Sequence, residues 1–120
     1  MPFIKTKVSC QISADQETAL KKRFGRAISL VPGKSEDYLL LEFEDNNRMW
    51  LRGGHEEPIA YIEASIFGNE NHAGYDALTA GITKALTQIL GIKPENVYVK
   101  YEDITAWGVG GQYIDRGMFR

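Results

Sequence analysis

The chain has 120 residues, of which 43% are hydrophobic and 25% charged, with a net charge of −2 and a pI near 5.7. A length of this order buries roughly two-thirds of the unfolded surface, which suits one packed domain over 1–120. The acidic balance argues against nucleic acid or an anionic membrane as partner, and neither a membrane-spanning apolar run nor a signal-peptide pattern is present, so a cytoplasmic protein, or one exported without a signal peptide, is expected.

In chain order, Pro2–Val8 alternates as a first strand, and Ile4 and Val8 share its apolar side. A helix near 14–31 follows, opened by a Ser13/Gln16 capping box and stopped by Gly33. A second strand covers 38–44, and a short strand is expected at 48–52, between the turn-rich Asp45-Asn46-Asn47 and Gly53-Gly54. The second half reads as a strand at 59–67, a helix at 73–90 stopped by Gly91, a strand at 97–102 and a short strand near 107–109.

The two halves, about 2–57 and 59–120, are one unit written twice. An offset of 58 carries Ile4 onto Ile62 and Val8 onto Ile66. It also carries Leu20, Phe24, Ala27, Ile28 and Val31 onto Leu78, Ile82, Ala85, Leu86 and Ile89, the apolar stripe of an amphipathic helix in both cases. The fold class is α+β. Two pseudo-symmetric β-α-β units form a four-stranded mixed sheet, with right-handed crossovers placing both helices on one face. Leu39, Leu41, Phe43, Val97, Val99 and Tyr101 should pack under them, while Lys5, Lys7, Glu42, Glu44, Glu63, Lys100 and Glu102 occupy the other face. The short extra strands invite pairing with neighbouring subunits, and a closed homo-oligomer with a wet, charged interior is expected.

Chemistry points first to the N-terminus. Loss of Met1 ahead of Pro2 leaves a prolyl secondary amine, tied down by the strand it begins. An α-amine titrates near 8, burial lowers that value, and a neutral base near pH 7 suits proton transfer. Cys10 is single, which excludes an internal disulfide and a Cys-x-x-Cys pair. His55 and His72 lack paired metal spacing and read as solvated loop residues, so neither a metal nor a cofactor is expected.

Met1-Pro2-Phe3-Ile4, Gly33-Lys34 followed by Tyr38, Gly53-Gly54 followed by Glu57-Pro58, Gly68, and Pro94-Glu95-Asn96-Val97-Tyr98-Val99 before Tyr101-Glu102-Asp103 together carry a resemblance. From Pro2 to about Val109 the chain resembles the tautomerase superfamily, in its branch of macrophage migration inhibitory factor and D-dopachrome tautomerase. That resemblance implies a homotrimer with a site at each subunit interface and enol–keto tautomerisation of small keto acids such as phenylpyruvate. It implies Pro2 as the general base and acid, and Lys34 as the carboxylate-binding cation. Phe67 takes the place of a backbone contact to substrate, Tyr98 of a pocket tyrosine from the adjacent subunit and Val109 of an apolar pocket residue, with Tyr38 nearby. Lys100 stands where the family usually has asparagine, either as a second carboxylate anchor or paired with Glu42 or Glu102.

Two further departures mark the chain. The family's C-terminal tryptophan position is Gly111, leaving Trp107 or Tyr113 to fill the space, and Ile59 and Ile62 stand in the stretch of its redox cysteines. Other superfamily chemistries, such as decarboxylation, hydration or dehalogenation, would draw on Arg52 or Arg116. The rival to a tautomerase is a cytokine-like or host-mimicking binding protein with a vestigial pocket.

Overall fold

The computed structural model describes residues 1–119. Strand β1 (Pro2–Val8) is followed by helix α1 (Ala14–Ala27), strand β2 (Leu40–Glu44), strand β3 (Ala60–Phe67), helix α2 (Tyr75–Leu90) and strand β4 (Val97–Ile104). The sheet runs β2-β1-β3-β4, with β1 parallel to β2, β3 parallel to β4, and β1 antiparallel to β3. Each parallel pair is one β-α-β unit, and the two units meet along the central antiparallel seam. The described residues include no helix long and apolar enough to cross a membrane.

Alternation along the strands assigns the two faces. Ile4, Val8, Ile62, Ala64, Leu20, Phe24, Leu78, Ile82 and Leu86 are fully buried between sheet and helices. Leu39, Leu41, Phe43, Val97, Val99 and Tyr101 pack against that core from the outer strands, as the sequence predicts. Each fully buried Leu, Ile or Phe contributes about 1.5–3 kcal/mol. On the other face the register aligns Glu42, Lys5, Glu63 and Lys100 in one row, so the sign of charge alternates across all four strands.

The Ser13 hydroxyl accepts from the Gln16 N–H and the Gln16 side chain accepts from the Ser13 N–H, completing the predicted capping box. The helix ends earlier than predicted. The Ser29 hydroxyl donates to the Arg26 carbonyl at 2.7 Å, and the chain tightens into a 3₁₀ turn over Ile28–Leu30 before Gly33 turns at φ +75°. Strand β2 likewise begins at Leu40, because Glu36–Tyr38 forms a 3₁₀ turn. Gly91 closes α2 in the left-handed conformation.

The strand expected at 48–52 is not formed. Leu51 and Gly54 exchange both backbone hydrogen bonds, at 2.8 and 3.0 Å, across a tight turn with Arg52 and Gly53 at positive φ. The segment thus spends its ladder groups on itself and meets no partner strand among the described residues. The short strand near 107–109 does form, as β5 (Ala106–Val109). It pairs with β6 (Gln112–Asp115) across Gly110-Gly111, and this second arm of the hairpin is not expected from the sequence.

Candidate active site

Backbone register brings the N-terminus to the end of the central seam. Pro2 is buried and lies opposite Ile66 on β3. Lys34 arrives from the turn after α1, where its N–H donates to the Val31 carbonyl. Its ammonium donates to the Phe67 carbonyl at 2.6 Å. The Phe67 N–H in turn approaches the Met1 carbonyl at 3.5 Å. Gly68 then leaves the strand at φ +79°, a conformation in which a side chain is strained.

The terminal amine of this chain belongs to Met1 and stands one residue before the prolyl nitrogen that processing would expose. Its pKa is lowered from 8.0 to about 6, first by burial, then by the Lys34 charge and the Lys34 hydrogen bond. The amine end of the sheet is therefore an environment that keeps a nitrogen neutral at pH 7 beside a fixed cation. A neutral base next to an anion-binding ammonium is what proton abstraction from a carboxylate-bearing carbon acid requires.

A cleft of about 670 Å³ opens here, lined by Pro2, Phe3, Tyr38, Leu40, Trp107 and Val109. Its walls are apolar and aromatic, and Asp37 stands at its edge. Of the predicted site residues, Pro2, Tyr38 and Val109 line this cleft, and Lys34 and Phe67 meet beside the N-terminus that opens it. Two lie elsewhere in the chain. Tyr98 lies in register with Tyr61, which faces Lys7 at the far end of β1. Five residues of strand separate Lys7 from Pro2, about 17 Å at the usual rise. Lys100 sits on the charged face, 3.4 Å from the Glu102 carboxylate. That hydrogen bond is the main reason its pKa is raised, and it selects Glu102 over Glu42 as partner.

Of the two candidates for the space opposite Gly111, Tyr113 does not line the cleft and Trp107 does. Its ring stacks on Phe67 with centroids 6.5 Å apart and planes 16° apart, whereas Tyr113 is 62% exposed and hydrogen-bonded to Asp115. Leu40, Phe3 and Asp37 line the cleft without having been predicted. Strand alternation offers a signal for Leu40 and Phe3, which pair in register and fall on the face opposite Leu41, Phe43, Ile4 and Val8. The two arginine candidates are engaged elsewhere: Arg52 hydrogen-bonds Asn96, and Arg116 pairs with Glu70 at 2.7 Å. His72 is not simply solvated, since its Nε2 meets the Asp103 carboxylate at 2.7 Å and its ring stacks on Tyr75.

A second cleft, of about 600 Å³, lies beyond the other end of β1 and includes Cys10, Trp50 and His55. Burial pushes the Cys10 thiol up, so it is no thiolate nucleophile at neutral pH. Among the described residues no three His, Cys, Asp or Glu side chains come together as metal ligands.

Comparison with known proteins agrees with this fold. No curated protein matches the chain by sequence. Among solved structures, MIF2 of Leishmania major is 27% identical with a TM-score of 0.87, over 95% of this chain and 97% of that one. A macrophage migration inhibitory factor homologue from Prochlorococcus marinus is 24% identical with a TM-score of 0.82, over 92% and 97%. Pt0534 inactivated by 2-oxo-3-pentynoate is 18% identical with a TM-score of 0.84, over 98% and 99%. The family model of macrophage migration inhibitory factor (MIF) matches residues 1–113, which takes in both β-α-β units, the amine end of the sheet and most of the C-terminal hairpin. By that match and by its doubled fold, the chain belongs to the macrophage migration inhibitory factor family.

Proposed function

We propose that the protein is a cofactor-independent keto–enol tautomerase of small 2-keto acids such as phenylpyruvate, with Pro2 as general base and acid once Met1 is removed. The observation that carries this reading is the amine environment at the head of β1, where burial and Lys34 together hold a nitrogen neutral near pH 7. Lys34 binds the substrate carboxylate, and the aromatic walls of the cleft hold the rest of the molecule and exclude water. The prolyl nitrogen takes a proton from the carbon next to the ketone. The C–H bond breaks, an N–H bond forms, and the electron pair moves onto the ketone oxygen as an enolate. The same proton then passes from the prolyl nitrogen to the enolate oxygen, giving the enol and restoring the neutral amine; the enol-to-keto direction runs the same steps in reverse.

The cleft is open on its outer side, with Tyr38 70% exposed. We read the active form as a homotrimer in which Tyr98 and Lys100 complete the neighbouring subunit's cleft. Supporting this reading, Tyr98, Leu40 and Trp50 are large apolar or aromatic side chains left 54%, 63% and 67% exposed.

The test is ultraviolet measurement of phenylpyruvate tautomerisation on protein whose Met1 loss is confirmed by intact mass. Beside it run a Pro2→Gly variant and a form extended at the N-terminus. Turnover that collapses in both variants supports the prolyl base. Absence of turnover by fully processed protein overturns the reading and favours a binding role for the same cleft.

A further inference from the structure

Lys34 is a long, flexible cation, and holding it in one place costs rotamer entropy. Its fixed acceptor is the Phe67 carbonyl. That carbonyl is the last of β3 and is followed directly by Gly68, whose φ of +79° and missing Cβ leave the next peptide little local restraint. The Phe67 backbone is already held by the pairing of β3 with Ile104 of β4 and by the approach of its N–H to the Met1 carbonyl, and its buried side chain, stacked on Trp107, adds a further restraint on the acceptor.

Trp107 is itself placed by packing. Its indole N–H is buried and has no hydrogen-bond partner among the described residues. The hairpin that carries it is tied to the loop after β3 a second time, since Arg116 pairs with Glu70 and its N–H donates to the Thr105 carbonyl at 3.1 Å. Glu70 is only three residues beyond Phe67, so the two ties bracket Gly68.

We propose that Trp107 is a positioning residue for Lys34: its indole clamps the Phe67 ring, and the Phe67 carbonyl thereby holds the Lys34 ammonium against the N-terminal amine. This rests on reading the amine and Lys34 as the working pair of the site. The C-terminal hairpin then sets the basicity of the amine from the side, beyond lining the cleft.

The experiment reads the amine without substrate, on processed protein of full length. Trace acetylation at a series of pH values, followed by mass analysis of the N-terminal peptide, gives the pH at which the amine becomes reactive. Lys34→Ala should move that curve upward by about one pH unit, because a cation no longer opposes protonation. Trp107→Leu should move it in the same direction, and Trp107→Phe, which keeps a ring to stack, should leave it on the wild-type curve. A Trp107→Leu curve that superimposes on wild type while Lys34→Ala shifts overturns the proposal. Phenylpyruvate turnover is assayed on the same samples. If wild type shows none and the Trp107→Leu shift persists, the positioning role stands and the tautomerase reading alone fails.

Discussion

Lys34 and Phe67, 33 residues apart in the chain, are joined by a 2.6 Å hydrogen bond from the side-chain ammonium of one to the backbone carbonyl of the other. The bond links the turn after the first helix to the end of the third strand. It leaves the ammonium next to the N-terminal amine, where it acts on that amine through both its charge and a hydrogen bond. In the proposed mechanism one side chain thus has two tasks, depressing the basicity of the amine and presenting a cation to a substrate carboxylate.

Removing it should expose both tasks. In Lys34→Ala the Michaelis constant for phenylpyruvate is expected to rise roughly 10- to 100-fold, the equivalent of about 1.5–3 kcal/mol for a charge-assisted hydrogen bond. The acidic limb of the kcat/KM profile should move upward with it. Steady-state kinetics across pH 5 to 9 checks both at once, and an unshifted limb would separate the two tasks.

The amine also leaves a signature in stability. Its folded pKa of about 6 lies below the unfolded value of 8.0, so between these values the unfolded chain binds more protons than the folded one. Stability should therefore rise with pH from about 6 to 8 and lose this contribution below 6, where both states are protonated and the buried charge opposes folding. Thermal melts of the chain with a free and an acetylated terminus isolate the effect. The two curves of Tm against pH should converge above pH 8 and separate towards pH 6.

Gly74 initiates the second helix at φ +83°, and a Cβ there would lie 2.3 Å from the Leu30 carbonyl oxygen. Gly74→Ala combines a strained left-handed backbone with a clash against backbone that cannot rotate away. A loss of about 2–4 kcal/mol is expected in urea unfolding, with the slope unchanged. By contrast Gly33→Ala, with φ +75° and open space around it, should cost only about 1–2 kcal/mol.

Thr6 is fully buried on the helix-facing side of the central strand, and its hydroxyl has no hydrogen-bond partner among the described residues. Valine has nearly the same shape without the stranded donor. Thr6→Val should raise stability by about 1 kcal/mol, a few degrees in Tm, with phenylpyruvate turnover unaffected. A fall in Tm would reveal a partner for that hydroxyl.

Much of the site is legible in the amino-acid sequence. Pro2, Tyr38 and Val109 line one cleft and Lys34 and Phe67 meet beside its amine end, because the repeat fixes which strand ends lie side by side. Within one chain Tyr98 and Lys100 lie away from this cleft, in keeping with the expectation that Tyr98 serves the adjacent subunit, whereas the side on which Lys100 falls depends on the register of strands distant in sequence. Trp107 and Tyr113 are equal candidates for one space by sequence, and only the hairpin turn at Gly110-Gly111 puts the first against Phe67 and the second into solvent.

Local sequence determined what local forces control. Alternation along β1 and β3, the helical stripes, the Ser13–Gln16 box and the glycine stop at Gly91 each follow from side-chain spacing and backbone preference within a few residues. The tertiary structure decided what needs a partner from elsewhere. The 48–52 segment folds on itself through Leu51 and Gly54, with no partner strand among the described residues; Lys34 chose the Phe67 carbonyl; Lys100 chose Glu102 over Glu42. A hydrogen bond or ion pair between distant segments forms only where the packed core brings its two ends within about 3 Å, and that proximity is a property of the whole fold.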